Sequence, residues 1–329
     1  MENSTTSSSS QSKLSVVIWE FVSLTKPRVN LLIMLTAIVG MLLAQGRELQ
    51  YDLILLASIG IGFAASAAAI INDVIDQRFD SVRDRTKGRP LVKGNIKPLH
   101  AIYFAIFLSI TSLLMLYIFV NTLTAILTFI SIIIYSFIYS IYLKNLNSQN
   151  IVIGGIAGAM PPLLGWTSIT NQIEPFPLIL FLIIFLWTPP HFWALAVYKY
   201  EDYRKANIPM LPVTHGKDFA RLHIFLYSIL LLCISIFPYL LSFSGLIYFI
   251  GTLLIGFKFV YDAFLLMQTK SDIRAIQLFK YSITYLALLF GFLLIDFYYY
   301  LSYYYFIFMI TKRLRFYLSY SFDRYIIFF

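Results

Sequence analysis

The stretch Ile70-Ile-Asn72-Asp-Val-Ile-Asp76-Gln-Arg-Phe-Asp80 closes an alanine-rich apolar run that begins near Tyr51, and its reading decides the fold. Asn72, Asp76 and Asp80 recur at i, i+4 and i+8. Each four-residue step drifts only about 40° around a helix, so the three side chains share one face. Two carboxylates and an amide at the end of a membrane helix are costly to keep unless they hold something. A hard divalent cation wants such oxygen ligands and shares them with a phosphorylated substrate. Arg83, Arg85, Lys87, Arg89, Lys93 and Lys97 follow closely, opposed only by Asp84. Acids for a metal beside bases for an anion read as a diphosphate site at a membrane surface.

The surrounding chain says where that site lives. Hydrophobic residues make up 59% of the 329 and charged residues 12%, with a mean hydropathy of +0.77. Apolar stretches, each about 18–22 residues and long enough to cross a bilayer core, recur at 28–45, 51–71, 99–120, 122–142, 150–169, 176–197, 221–241, 246–266 and 279–300. They are continuously apolar rather than alternating, which excludes a β-barrel. The expected fold is an all-α polytopic integral membrane protein of about nine transmembrane helices around a central cavity. A soluble binding module is untenable on this composition, and no nucleic-acid partner is expected.

Three segments are expected. Residues 1–20 form a polar N-terminal tail, its Ser/Thr-rich first dozen lacking fixed structure. Residues 21–300 form the transmembrane domain. Residues 301–329 form an aromatic and basic tail that extends the last span, lies along the interface or returns across the membrane. Lys13, Lys26, Arg28, the 81–97 loop, Lys144, Lys199, Arg204, Lys205 and Lys217 fall on one side when the spans are counted alternately. The positive-inside rule makes that side cytoplasmic. Cys233 is the single cysteine, which leaves no disulfide or thiolate cluster, and it reads as a small core hydrophobe.

A second constellation lies in the sixth span. Trp187, His191, Tyr198 and Asp202 stand at steps of four, seven and four, so they share a stripe that descends to the cytoplasmic end. Pro189 and Pro190 predict a kink within it. Lys199 and the bases after it repeat the pattern of a polar ladder followed by a basic loop. His191 is open to several uses: an iron ligand, a partner for a carboxylate, a proton carrier, or a packed residue bonded to backbone.

Asn72 to Asp80, Arg85-Thr86 and Arg89-Pro90-Leu91 resemble the first signature of the UbiA-type intramembrane prenyltransferases. Thr25-Lys-Pro-Arg28, Pro161-Pro-Leu-Leu-Gly165-Trp166, Trp187-Thr-Pro-Pro-His191-Phe-Trp-Ala and Asp202-Tyr-Arg-Lys-Ala with Ile208-Pro-Met-Leu-Pro-Val213 are similar to the haem-farnesylating branch of that superfamily. Tyr198 stands where the quinone-precursor branches carry an aspartate, and Asn207 where a glycine is common. The resemblance runs from about residue 20 to 300 and has no counterpart for the tail.

The resemblance implies transfer of the farnesyl group of farnesyl diphosphate to a vinyl group of haem b, giving haem O for assembly of a haem–copper oxidase. It implies catalytic roles for Asn72, Asp76, Asp80, Tyr198 and Asp202, with Mg²⁺ held by Asp76, Asp80 and Asp202. Arg85, Arg89, Lys144 and Lys199 become diphosphate partners, while His191 and Trp187 face the acceptor. Tyr139, Tyr142 or Tyr198 would shield the allylic cation. The membrane is expected to be the plasma membrane, or the mitochondrial inner membrane in a eukaryote, with a downstream haem-modifying enzyme as partner. A prenyltransferase acting on a quinone or lipid precursor is the alternative, and a cation-coupled transporter a further one. Clustering of the acids at one surface beside a basic loop argues against transport.

Overall fold

In the computed structural model the described backbone covers residues 5–45, 49–82, 86–143 and 146–326, and the described side chains lie within 15–302, Val82 excepted. Arg85 and Lys144, both expected at the site, fall outside these residues. The order is α1 (Thr5–Leu24), α2 (Pro27–Gln45), α3 (Tyr51–Val82), α4 (Pro90–Lys93), α5 (Pro98–Phe119), α6 (Thr122–Ile133), the π-helical α7 (Ile134–Leu143), α8 (Asn150–Ala159), α9 (Pro161–Thr170), α10 (Pro175–Tyr198), α11 (Tyr200–Lys205), α12 (Leu211–His215), α13 (Lys217–Leu240), α14 (Leu246–Thr269) and α15 (Asp272–Ile326). No strand occurs among the described residues. Proline opens α2, α4, α5, α9 and α10, where its missing N–H costs nothing and its fixed φ suits the first turn. Asn121 caps α6 by accepting from the Thr124 N–H at 2.8 Å.

Among the described residues, nine helical segments are long and apolar enough to span a membrane; each overlaps one of the nine predicted from the sequence, the second running on to Ser81 and the ninth beginning at Asp272. The fifth breaks into α8 and α9 at Met160, directly before Pro161-Pro162. The chain is therefore an integral membrane protein. Outward-facing Leu, Ile and Phe side chains such as Leu31, Phe107, Leu254 and Phe257 present apolar surface to lipid.

Two groups of helices form the bundle. In one, α3 packs along α5 and α2 along α9; in the other, α10 packs against α8, α13 and α15, and α14 lies against α13 and α15. Contact between α15 and α2 links the groups at one side, and contact of α7 with both α3 and α8 links them at the other. The α2–α9 approach is backbone to backbone. A Cβ on Gly40 would overlap the Pro162 carbonyl, and one on Gly165 would overlap the Ala37 carbonyl. Only glycine admits that contact. Helix α3 has 32 residues, about 48 Å at 1.5 Å per residue, so its last turns outrun the hydrocarbon core. Those turns carry Asn72, Asp76 and Asp80.

Two expectations change, and two are filled in. The serine-rich start is helical from Thr5, because no proline or glycine separates it from the apolar turns of Ser15–Leu24. Cys233 is exposed on α13 rather than packed in the core; a thiol is soft and apolar enough to face lipid. Pro189 and Pro190 both lie inside α10, which continues past them to Tyr198. The backbone of α15 continues as helix past Ser302 to Ile326, the first of the three outcomes open for the tail.

Candidate functional site: a buried acidic face and an aromatic histidine pocket

The last turns of α3 bury four polar side chains. Asn72, Asp73, Asp76 and Asp80 are each at most 6% exposed. Buried carboxylates demand counter-charges. Lys26, at the corner between α1 and α2, places Nζ 2.6 Å from Asp73 Oδ1. Arg89 Nη1 donates to the same Asp73 oxygen at 2.7 Å and also to Asp80 Oδ2, so one guanidinium ties the two carboxylates together. Asp73 precedes Asp76 by three residues and Asp80 by seven, which puts it on the edge of the ladder face.

Neutral bonds add to these ion pairs in fastening the basic loop over this face. Gln77 Nε2 donates to the Leu91 carbonyl at 2.8 Å, and Thr86 Oγ1 donates to the Asp80 carbonyl at 3.0 Å. Arg89 takes the extended backbone that a following proline imposes and stands at the head of α4. A recess of about 580 Å³ opens beside it, lined by Trp19, Glu20, Lys26, Asp73, Arg89 and Lys93.

Helix α7 backs the other side. Asn72 Nδ2 donates to Ser140 Oγ at 2.9 Å, and Ser140 Oγ donates to the Tyr135 carbonyl at 2.8 Å. The Tyr135 phenol lies within the field of Asp76, Asp73 and Arg89. Its ring sits 5.5 Å from that of Tyr139, which in turn covers Gly154 of α8. Tyr142 is exposed instead.

The second ladder is arranged differently from the expected stripe. Helix α10 ends at Tyr198, Lys199 leaves helical geometry at φ −99°, ψ 31°, and α11 restarts at Tyr200. Lys199 Nζ lies 3.7 Å from Asp202 Oδ2 and 5.3 Å from the centre of the Tyr198 ring. Among the described residues, Tyr198, Lys199 and Asp202 make no hydrogen bond, ion pair or ring contact with α3. Nor do any three of His, Cys, Asp and Glu converge there on one ion position. Mg²⁺ is commonly held by one or two carboxylates with substrate phosphates and water completing the shell, so the hard oxygens of α3 fit it.

His191 sits deeper, in an aromatic slot. Its ring stacks on Trp187 at 4.2 Å and on Phe279 at 4.5 Å, with Phe192 edge-on at 4.9 Å. Ser282 of α15 fixes both polar atoms of the pair. Trp187 Nε1 donates to the Ser282 carbonyl at 2.8 Å, and His191 Nδ1 lies 2.6 Å from Ser282 Oγ. The Ser282 hydroxyl donates its only proton to the Phe279 carbonyl at 2.6 Å, so its oxygen accepts from His191 Nδ1–H. The neutral imidazole therefore carries its lone pair on Nε2, the form suited to a metal or to accepting a proton.

The structure thus gathers Asn72, Asp76, Asp80 and Arg89 at one face, puts Trp187 and His191 together in a second pocket, and groups Tyr198, Lys199 and Asp202 at a third place. Sequence reasoning passed over Asp73, Tyr135, Ser140, Phe279 and Ser282, and gave Lys26 no role at the site. The spacing of Asp73 to Asp76 and Asp80 was a visible signal; the other partners come from distant helices.

Comparison with known proteins follows the same lines. The family model described as the UbiA prenyltransferase family matches residues 33–284. The chain is 51% identical over 280 residues to a protoheme IX farnesyltransferase of Legionella pneumophila (strain Lens), covering 85% of this chain and 95% of that one. It is 48% identical over 283 residues to a protoheme IX farnesyltransferase of Marinobacter nauticus, covering 86% and 94%. Among solved structures, a digeranylgeranylglyceryl phosphate synthase superposes with a TM-score of 0.73 at 21% identity, covering 85% of this chain and 98% of that one. A UbiA homologue from Archaeoglobus fulgidus bound to GPP and Mg²⁺ superposes with a TM-score of 0.59 at 18% identity, covering 83% and 99%.

Proposed function

The chain belongs to the UbiA prenyltransferase family, and we propose that it moves the farnesyl group of farnesyl diphosphate to a vinyl group of haem b, giving haem O for a haem–copper oxidase. The observation that carries the reading is the buried face of α3 at the end of a membrane span, where Asp76 lies between Asp73 and Asp80 and these two meet Lys26 and Arg89. Asp76 and Asp80 on α3 and, separately, Asp202 at the α10–α11 corner would hold magnesium ions, which when bound would neutralise the departing diphosphate as Lewis acids.

The chain's own groups do the rest. Arg89, aided by Arg85, Lys144 and Lys199, binds diphosphate oxygens, the arginines in bidentate fashion. Lys26 stays on Asp73 when Arg89 turns toward substrate, so that carboxylate keeps a counter-charge. Loss of the allylic C–O bond leaves its electron pair on the diphosphate. The faces of Tyr135 and Tyr139 shelter the resulting cationic carbon. A vinyl carbon of the haem then bonds to that carbon, and water adds its hydroxyl to the other vinyl carbon and releases a proton. His191, backed by Trp187 and Phe279, orients the acceptor through Nε2, toward iron or toward that proton. The α3–α4 end faces the cytoplasm from the plasma membrane, or the matrix from the mitochondrial inner membrane in a eukaryotic host, and product passes to a downstream haem-modifying enzyme.

The test is direct. Reconstituted protein is incubated with haem b, farnesyl diphosphate and Mg²⁺, and extracted haem is analysed by mass spectrometry. A haem bearing the hydroxyethylfarnesyl group, absent with EDTA, is the expected result. Prenyl donor consumed with haem unchanged would move the acceptor to a quinone or lipid precursor. Neither, in folded protein, would reopen cation transport.

A further inference from the structure

We propose that Ser140 is a positioning residue that fixes the Asn72 carboxamide with its oxygen, not its N–H, presented to the metal–diphosphate site. Ser140 Oγ carries one hydrogen, donated to the Tyr135 carbonyl at 2.8 Å. A carbonyl only accepts, so that proton is committed. The oxygen of Ser140 then has lone pairs alone to offer Asn72, 2.9 Å away, and Asn72 must meet it with Nδ2. The flip of the amide is set by this network. Oδ1 points away from Ser140 and makes no hydrogen bond to any described residue, on the helix face shared with Asp76 and Asp80.

The π-helix is what makes the arrangement possible. Helical Ser and Thr back-bonds elsewhere among the described residues reach three or four residues, as in Ser282 to Phe279, Ser66 to Gly62 and Thr188 to Ile184. Ser140 reaches five, to Tyr135, within the ten-residue π-helical stretch of α7. The wider turn follows the i→i−5 register of the backbone and turns the buried hydroxyl toward α3. An α-helical Ser140 would bond the Phe137 or Ser136 carbonyl and meet Asn72 in another direction. The irregular helix thus aims one hydroxyl at one amide.

The proposal rests on the reading of the α3 face as a metal and diphosphate site. Its probe is Mn²⁺ binding in the presence of an unreactive farnesyl thiodiphosphate, followed by electron paramagnetic resonance, which needs no turnover. Ser140→Ala frees the amide to flip and is expected to weaken Mn²⁺ binding about 10-fold, as loss of an outer-shell partner does. Ser140→Thr, which keeps the hydroxyl, restores it. In an Asn72→Ala background, Ser140→Ala adds nothing further. Asn72→Asp, whose group offers oxygen in either orientation, retains Mn²⁺ binding and abolishes the effect of Ser140→Ala.

Unchanged Mn²⁺ affinity in Ser140→Ala, or an equal loss in the Asn72→Ala background, would overturn the proposal. Should Ser140→Ala fail to fold, Asn72→Asp decides alone. Loss of Mn²⁺ or analogue binding there would mean that Asn72 serves diphosphate as an N–H donor. Asp76→Asn separates the levels. If it too leaves Mn²⁺ binding intact, the site reading fails; if it removes binding while Ser140→Ala does not, only the positioning role fails.

Discussion

Lys26 Nζ reaches Asp73 Oδ1 at 2.6 Å across the corner between α1 and α2, where the Lys26 backbone takes a left-handed φ of 50°. Lysine is uncommon in that conformation, and a local cost persists only where surroundings hold it. The contact makes the first corner of the chain part of the acidic face. Asp73→Asn keeps the shape and removes the charge that holds both Lys26 and Arg89. Farnesyl transfer is expected to fall about 10- to 100-fold, the usual loss when an outer-shell partner is removed. Steady-state assays in proteoliposomes check this, and full turnover in Asp73→Asn would reduce the contact to a structural tie.

Asp76 and Asp80 differ from Asp73 in role. Asp76→Ala and Asp80→Ala are expected to abolish turnover in protein that still inserts and folds, and chelation by EDTA to do the same to the unaltered chain. Asp80→Ala also strips Arg89 of one of its two carboxylates, so its thermal transition is expected to move more than that of a lipid-facing control at Leu254. Retained turnover in either variant would remove it from the metal site.

The histidine pocket is expected to serve the acceptor and not the donor. His191→Ala is expected to weaken haem b binding about 10-fold, while farnesyl diphosphate binding holds. Ser282→Ala leaves the imidazole free to choose its tautomer and is expected to give a smaller loss of the same kind. Absorbance titration with haem reads the first quantity, and donor protection against thermal unfolding the second. If neither changes in His191→Ala, the ring is packing between Trp187 and Phe279.

The number of spans and the Asn72–Asp80 face were legible because each is local: apolar length and four-residue spacing are properties of consecutive residues. The histidine pocket was half legible. Trp187 and His191 stand one turn apart on α10, but Phe279 and Ser282 come from α15 and carry no signal in sequence. The stripe through Tyr198 and Asp202 failed for a conformational reason, since Lys199 leaves helical geometry between them. The same limit hid Ser140, whose direction depends on a π register that serine, isoleucine and tyrosine do not announce.

Asp296 offers a test of stability separate from chemistry. This buried carboxylate on α15 accepts from the backbone N–H groups of Gly245 and Tyr248, capping the start of α14 from a neighbouring helix. It satisfies donors that no residue of α14 itself reaches and sets a negative charge at the positive end of the helix dipole. Asp296→Ala is expected to cost about 1–3 kcal/mol in unfolding, the range for orphaned buried donors. Turnover per folded molecule should stay unchanged, because the site lies at the opposite ends of these spans. A matching loss of catalytic rate would show that the α14–α15 contact reaches the acceptor pocket.

Asn207 accounts for the one departure of this chain from the glycine common at its position. The Asn207 N–H donates to the Arg204 carbonyl at 3.1 Å and the Ile208 N–H to the Tyr203 carbonyl at 3.1 Å, the paired bonds of a Schellman helix end. The residue between them must take a positive φ, and Asn207 stands at 50°. Glycine fits without cost and asparagine is the usual second choice. Ile208 and Tyr203, both buried, supply the apolar contact that accompanies such an end and draw Ile208–Leu211 into the core. Asn207→Gly is therefore expected to change stability by less than about 1 kcal/mol. Asn207→Val forces a β-branched side chain into the left-handed region and is expected to cost about 1–2 kcal/mol or more. Thermal unfolding in detergent reads both. Equal transitions for the two variants would mean that the α11 corner relaxes to another backbone path, and the loop after Asp202 would then owe its course to packing alone.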